Sequence, residues 1–221
     1  MTKELYRWIS IASVLSPLVP LICLLIYRKR QPRQNVILAV SIFISLTFDV
    51  INSALYYSRT PNHLSINLYF IIAFPAIMWF YHEILMRRSL KNITRIFTVV
   101  FFVLTAIFIF RSGLNVLNHS IFMTSSILIS ITSLLFIRDL NLMDASDFLN
   151  NKFHQTNILL NTSLAVYYFA TVIVFSVSDY VFANASAEGF RLFWGFHNIL
   201  NVSKHVGFAI AFYLSSKRNI D

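Results

Sequence analysis

Charged residues are scarce in this chain. Only 12% of its 221 residues are Asp, Glu, Lys or Arg, whereas 57% are hydrophobic, and an average soluble domain carries about 25% charged residues. This scarcity excludes an ordinary water-soluble globular protein. Apolar stretches recur between short polar breaks, and a helical crossing of a bilayer needs about 20 such residues. The composition therefore predicts a multi-pass membrane protein in contact with the lipid bilayer.

Cysteine and glycine are also rare. The single cysteine, Cys23, excludes an internal disulfide and a cysteine metal cluster. With four glycines and no glycine motif of helix association, close helix contacts are expected to use Ser, Thr and Ala. The first apolar segment contains Pro17 and Pro20 and is followed, not preceded, by its main positive flank. It is therefore expected to stay in the mature protein as a helix.

Seven apolar segments follow one another, at about residues 8–27, 35–57, 64–85, 96–111, 117–137, 157–182 and 190–214. Their lengths suit membrane-spanning helices, and we predict an all-α membrane protein, a seven-transmembrane-helix bundle. The fourth segment is the weakest, because Arg111 at its end must extend to an interface. A six-helix bundle is the alternative. The single transmembrane domain is expected to take up residues 1–221.

Lysine and arginine are unevenly divided between the two sides of the predicted bundle. One side carries twelve: Arg28, Lys29, Arg30, Arg33, Arg87, Arg88, Lys91, Arg95, Arg138, Lys152, Lys217 and Arg218. The other carries five: Lys3, Arg7, Arg59, Arg111 and Arg191. Because cytoplasmic loops accumulate these residues, we predict an external N-terminus and a cytoplasmic C-terminus. The net charge of +9 then reflects topology and anionic lipid, and no nucleic acid is expected as a partner.

The longest predicted loop, 138–156, interleaves acidic residues with apolar ones, as in Asp147-Phe148. This pattern is typical of a short amphipathic segment on the inner membrane surface. We expect no soluble effector domain, so that any signal passes through the membrane domain or through a separate partner protein.

Lys204 lies near the middle of the last apolar segment. A charged group at mid-depth costs at least about 2.5–3.5 kcal/mol, so it normally faces the protein interior and has a partner. At about 100° per residue, the neighbouring polar side chains fall in one sector of about 120° with it. These neighbours are His197, Asn198, Asn201 and His205. The sector is expected to face either a water-filled cavity or a dense hydrogen-bond network.

The second segment supplies a matching polar face, made of Ser41, Ser45, Asp49, Asn52, Ser53 and Tyr56. Counting about 1.5 Å of rise per residue puts Asp49 within roughly 8 Å of the depth of Lys204. We therefore predict that the two neutralise each other, either as a packing element or as the centre of a ligand, proton or ion site.

Two further segments extend this face. The third contributes Tyr69, near a Pro75 that bends the helix, and the sixth contributes Tyr168 on a stripe with Asn161. We predict no catalytic residues and no metal ligands. The complete candidate ligand-binding set is Asp49, Asn52, Tyr69, Tyr168, His197, Asn198, Asn201, Lys204 and His205.

Haem and retinal are the cofactor alternatives. His197 and His205 are eight residues apart, about 12 Å along a helix axis, which is too far for one metal ion to bind both. The run Leu200–Phe208 resembles the seventh helix of microbial rhodopsins, which implies retinal on a lysine. In that alignment His205, not Lys204, takes the lysine position, and Asn201 takes the usual aspartate position.

A second resemblance covers nearly the whole chain. It rests on a basic first loop, the acidic residue within Leu46–Ile51, a tyrosine-rich sixth segment, and the run Trp194–Asn201 continuing to Lys204. The pattern is similar to a group of small seven-helix membrane proteins common in Bacteroidota. This resemblance implies a bacterial cytoplasmic-membrane protein whose signature positions are Asp49, His197, Asn198, Asn201 and Lys204.

Several classes of function agree with these features. A receptor-like sensor would bind a small molecule or lipid between the second, third, sixth and seventh helices and signal through a partner. The alternatives are a small-solute or proton transporter, an intramembrane enzyme, and a structural or assembly protein. Transporters often contain internal repeats, which this sequence lacks, and only Asp49 and Lys204 approach one depth as an enzyme site would require. We therefore favour the receptor-like sensor over an enzyme, and the intramembrane enzyme stays an alternative.

The basic-residue asymmetry yields a prediction about topology. Reporters fused after Asp221 or within 87–95 should report a cytoplasmic location, whereas tags near Glu188 or at residue 2 should be accessible outside. If both termini report the cytoplasm, the count of seven crossings is wrong.

Overall fold

The computed structural model describes residues 1–142 and 152–217, and these residues are helical without strands. The helices are α1 (Lys3–Leu15), α2 (Leu18–Ile26), α3 (Arg33–Tyr57), α4 (His63–Ile84), α5 (Arg88–Ser112), α6 (His119–Asn141), α7 (Lys152–Asn184) and α8 (Ala187–Lys217), with a short 3-10 turn at Arg28–Arg30. The predicted amphipathic segment, 138–156, lies mostly outside the described residues, and its described ends belong to α6 and α7.

Six helical spans among the described residues are long and apolar enough to cross a membrane: Lys3–Ile26, Arg33–Tyr57, His63–Ile84, Arg88–Ser112, His119–Asn141 and His154–Ser178. The prediction of an all-helical fold is therefore confirmed for the described residues, and the length and composition of these spans fit a multi-pass membrane protein. The fourth segment is longer than predicted, since α5 begins at Arg88 with a polar first part. Helix α8 has 31 residues but is too polar to be counted among these spans.

The first predicted helix is interrupted at Ser16 and Pro17, where α1 ends and α2 begins. A proline has no N–H to donate to the carbonyl four residues earlier. Pro17 therefore leaves the carbonyl of Ser13 without its helical donor. Pro20 withholds the same donor from the carbonyl of Ser16, which accepts instead from the N–H of Val19 at 3.2 Å. The interruption is the physical consequence of two prolines three residues apart.

The helices pack in a ring in which α1–α2 lies against α8, α8 against α7, α7 against α6, α6 against α4, α4 against α3, and α3 against α2. Helix α5 packs outside this ring on α4 and α6, and buries only Thr94, Phe101 and Thr105. Aromatic side chains fill much of the interior. Phe74 of α4 stacks on Phe101 of α5 at 4.1 Å between ring centroids.

Buried polar side chains fix the connections at both ends of the bundle. The amide nitrogen of Asn67 donates to the carbonyls of Leu114 and Val116 at 2.8 and 2.7 Å, which ties the α5–α6 loop to α4. At the other end Asp139, only 1% exposed, accepts a bond from the backbone N–H of Met86 at 2.7 Å. Because the first N–H groups of a helix lack helical partners, the carboxylate beside the start of α5 stabilises that helix end.

The close contact between α7 and α8 depends on a glycine. The amino-acid composition predicted that Ser, Thr and Ala would form such contacts, and this prediction did not include glycine. Gly207 lies against the side chain of Ser163, and a Cβ added there would clash with both the Oγ and the Cβ of Ser163. The missing side chain thus sets the approach of the two helices.

Gly207→Ala should lower the thermal stability of the protein in detergent, because overpacking costs about 1–3 kcal/mol and outweighs the helix-propensity gain of roughly 1 kcal/mol. Gly189→Ala is the matched control, since its Cβ would meet only ordinary contacts from 3.4 Å. Ser163→Gly should restore stability to Gly207→Ala. An unfolding temperature of Gly207→Ala at or above wild type would show that the contact is not close.

Candidate functional site

Lys204 of α8 is 5% exposed and lies in the interior of the bundle. Its Nζ is 3.9 Å from the ring centroid of Tyr167 on α7. Attraction to the ring face is worth about 2 kcal/mol in a desolvated setting. An ammonium carries three N–H donors, and no described hydrogen bond reaches Nζ. The charge is therefore sheltered by the ring while its hydrogen-bonding capacity remains open.

Asp49 of α3 lies on the same side of the interior. Its Oδ2 accepts a long hydrogen bond, 3.4 Å, from the hydroxyl of Ser45. The ion pairs within 4.0 Å among the described residues involve Glu83, Glu188 and Asp139. The direct contact predicted between Asp49 and Lys204 is therefore replaced by a separated arrangement, in which the two charges still interact electrostatically. The ring of Tyr167 takes the place beside the ammonium.

A small cavity borders Lys204 and Ser45, the residue one helical turn before Asp49. It offers about 10 Å³ of space to the centre of a water-sized sphere, which is about what one water molecule requires. The polar residues that line it are Ser41, Ser45, Tyr69, Tyr168, Lys204 and His205. Since Ser45 also donates to Asp49, one water here would connect the ammonium to the carboxylate through a single hydroxyl.

Asn198 and Asn201 of α8 face α1, and His205 contacts the end of α1 while it also lines the cavity. Three serines, two in α1 and one directly after it, form hydrogen bonds with three side chains of α8. The pairs are Ser10 with Asn198 at 3.1 Å, Ser13 with Asn201 at 3.0 Å, and Ser16 with His205 at 2.8 Å. We call these three pairs the serine ladder. Sequence reasoning missed the serines, although their spacing of three residues puts them on one helix face. Asn198 and Asn201 thus act in helix packing.

His197 and Asn52 keep unsatisfied polar atoms. The ring of His197 is enclosed by Tyr167, Phe175 and Trp194, with centroids 5.6, 6.1 and 5.7 Å away. Its Nδ1 is buried without a hydrogen-bond partner in the described chain, and so is Oδ1 of Asn52. Buried polar groups left open by protein are commonly satisfied by ordered water.

A second polar group joins α4, α6 and α7. The hydroxyl of Tyr81 donates to Oδ1 of Asn161 at 3.0 Å, and Ser133 donates to the same oxygen at 2.9 Å. Asn161 is on α7, seven residues before Tyr168, which lines the cavity.

The cofactor alternatives do not fit this geometry. The cavity beside Lys204 has room for about one water, far less than a retinal occupies. The ring of His197 is packed between the aromatic rings of Tyr167 and Trp194. The described residues contain no group of three or more His, Cys, Asp or Glu side chains placed to hold a metal ion.

Comparisons with protein-family models, with curated proteins and with solved structures find no match to this chain. The resemblances to small seven-helix proteins and to microbial rhodopsins therefore remain predictions. The candidate site rests on its own geometry.

The serine ladder is expected to show energetic coupling. In a double-mutant cycle, Ser13→Ala and Asn201→Ala should couple by about 0.6–1.7 kcal/mol, the range found for hydrogen bonds between membrane helices. The control cycle combines Ser13→Ala with Ser203→Ala, because the Ser203 hydroxyl bonds only to its own helix, at the Ile199 carbonyl. Unfolding in detergent gives the measurement, and additive effects in the first cycle would show that the ladder contributes no specific stability.

Proposed function

We propose that the protein crosses a bacterial cytoplasmic membrane seven times, with the N-terminus outside and the C-terminus in the cytoplasm. Helix α8 is the seventh crossing in this proposal: its 31 residues span about 46 Å at about 1.5 Å per residue. Helices α1–α2 and α7 cover its polar sector. The polar side chains of α8 therefore need not face lipid, and the helix can cross the membrane. The twelve-to-five distribution of basic residues supports the orientation.

The proposed function is transfer of protons across the membrane at the Asp49–Lys204 site, as a proton pathway or as the coupling site of a small-solute transporter. The observation that carries this proposal is the buried ammonium of Lys204, which lacks a contacting carboxylate and borders a water-sized cavity. Separated charges inside a membrane are costly. A proton that moves from Lys204 to Asp49 leaves an amine and a carboxylic acid, and removes both charges.

The transfer step needs no group beyond water and the hydroxyl of Ser45. Lys204 gives one proton to the cavity water, which passes a proton to Oγ of Ser45. Ser45 in turn releases its own hydroxyl proton to Oδ2 of Asp49, along the hydrogen bond of 3.4 Å. One N–H bond breaks, one O–H bond forms on the carboxyl, and water and serine are regenerated.

Routes to the two surfaces support the proposal. Asn52 and Tyr56 follow Asp49 on the same face of α3, and Tyr56 lines an open cleft of about 450 Å³ at the α3–α4 turn. In the opposite direction, Tyr168 lines the cavity, and the hydroxyl of Tyr81 donates to Asn161 on the same helix as Tyr168. Donors and acceptors thus extend from the central site toward both ends of the bundle.

Receptor-like signalling through a partner is the second candidate. The serine ladder favours it, because the ladder joins the kinked α1–α2 to α8 on both sides of Lys204 and so transmits a change at the site to an outer helix. Pockets for small molecules commonly measure about 300–1,000 Å³, whereas the central cavity accommodates about one water. This difference in size makes proton transfer the better-supported function.

Purified protein in liposomes with an internal pH-sensitive dye should take up protons under an imposed potassium diffusion potential. Lys204→Met and Asp49→Asn should each reduce the uptake rate by about 100-fold, the scale at which positioned proton-transfer groups act. Lys217→Met is the matched control, because it is the same substitution at the C-terminal end of α8, where the side chain is exposed.

Wild-type uptake equal to that of empty liposomes would contradict proton transfer. Uptake that survives unchanged in both Lys204→Met and Asp49→Asn would show that protons follow another route.

A further inference from the structure

The break between α1 and α2 determines where the hydroxyl proton of Ser16 points. Because Pro17 has no N–H, the carbonyl of Ser13 lacks its helical donor. The Ser16 hydroxyl donates to this carbonyl at 2.7 Å, and the amide of Asn201 approaches it at 3.5 Å. A carbonyl oxygen can only accept, so Ser16 must be the donor in the shorter bond.

This bond fixes the proton on the imidazole of His205. A serine hydroxyl has one proton, and that of Ser16 is committed to the Ser13 carbonyl. The contact of 2.8 Å between Ser16 Oγ and Nδ1 of His205 must then have Nδ1–H as its donor. In the neutral ring the lone pair is consequently on Nε2.

Nε2 is the ring nitrogen of His205 that Ser16 leaves open. His205 lines the central cavity together with Lys204, while its Nδ1 is turned to Ser16. We propose that Nε2 of His205 is a proton acceptor of the central site, and that Ser16 is the positioning residue that keeps it unprotonated. The assignment of the proton stands on the hydrogen bonds alone, whereas the role as acceptor rests on the proposed function.

The acceptor step conserves charge in the interior. The ammonium of Lys204 gives a proton to the cavity water, and the water gives a proton to Nε2, so that one N–H bond breaks and another forms. The products are a neutral amine and an imidazolium. The site still holds one positive charge, and the charge moves without the creation of a second buried cation, which would be unfavourable. His205 thereby offers Lys204 a second destination besides Asp49.

Nitrogen NMR of the protein labelled with ¹⁵N-histidine and reconstituted in lipid nanodiscs tests the assignment. The His205 signals are identified by their loss in His205→Gln. In wild type, Nδ1 should show a bonded proton and Nε2 the strong downfield shift of a nitrogen with a free lone pair. Ser16→Ala removes the serine oxygen that accepts from Nδ1–H, leaves the backbone of Asn201 as the other hydrogen-bond partner of the ring, and should shift part of the population toward the form with the proton on Nε2.

Pro17→Ala provides an independent variant. It restores an N–H for the Ser13 carbonyl and frees the Ser16 hydroxyl to donate to Nδ1, so the proton of the ring should again move to Nε2. Ser10→Ala is the control, since Ser10 bonds Asn198 at 3.1 Å and should leave the His205 signals unchanged.

A wild-type ring with a proton on Nε2, whether neutral or doubly protonated, would overturn the inference. So would His205 signals that are identical in wild type, Ser16→Ala and Pro17→Ala. If the signals behave as expected but liposome uptake is absent, proton transfer fails and the tautomer assignment stands. If proton uptake depends on Lys204 and Asp49 but the His205 nitrogen signals do not behave as expected, the proposed function stands and only the role of His205 and Ser16 is wrong.

Discussion

The buried ammonium of Lys204 is the constraint on which the arrangement of the helices depends. A charge at this depth costs at least about 2.5–3.5 kcal/mol, and the helix that carries it is too polar to face lipid along its whole circumference. Helices α1–α2 and α7 cover it on both sides. The ring of Tyr167, the field of Asp49 and a water-sized cavity then share the stabilisation of the charge. The need to bury this charge therefore determines both the composition of the site and the packing of the helices around it.

The kink in the first helix serves the same requirement. An unbroken helix would use its backbone carbonyls internally, whereas Pro17 leaves the carbonyl of Ser13 open to side chains of α8 and of the kink itself. The serine ladder therefore satisfies polar groups on both helices at once. Gly207 brings α7 close to the opposite side of α8. In the proposed function, stability and proton positioning are coupled because the same hydrogen bonds provide both.

The sequence allowed the polar interior to be predicted but not its pairings. Helical periodicity places Lys204, His205, Asp49 and Tyr69 toward the bundle, and the structure brings them to one cavity or its edge. Periodicity defines a face and not the neighbour that meets it. The contact of Lys204 with Tyr167, in place of Asp49, depends on side-chain rotamers and helix rotation, which spacing does not encode.

Other misses have the same origin. Ser10, Ser13 and Ser16 were visible as a stripe, but only the packing of α1 on α8 shows that they bond Asn198, Asn201 and His205. Two of these side chains are thereby turned from the predicted ligand site to helix association. Asp139 was predicted to lie in a surface loop, but it is only 1% exposed. Its carboxylate accepts a hydrogen bond from the backbone N–H of Met86, beside the start of α5.

Hydration of the Lys204 ammonium distinguishes a hydrated proton site from a dry packing charge. Water-edited solid-state NMR of the ¹⁵N-lysine-labelled protein in bilayers measures transfer of magnetisation from water protons to each ammonium, and Lys204→Met identifies the signal. We expect transfer from water to Nζ of Lys204, which borders the cavity. Transfer only from the ring protons of Tyr167, with none from water, would show a dry packing charge and contradict a proton-transfer site.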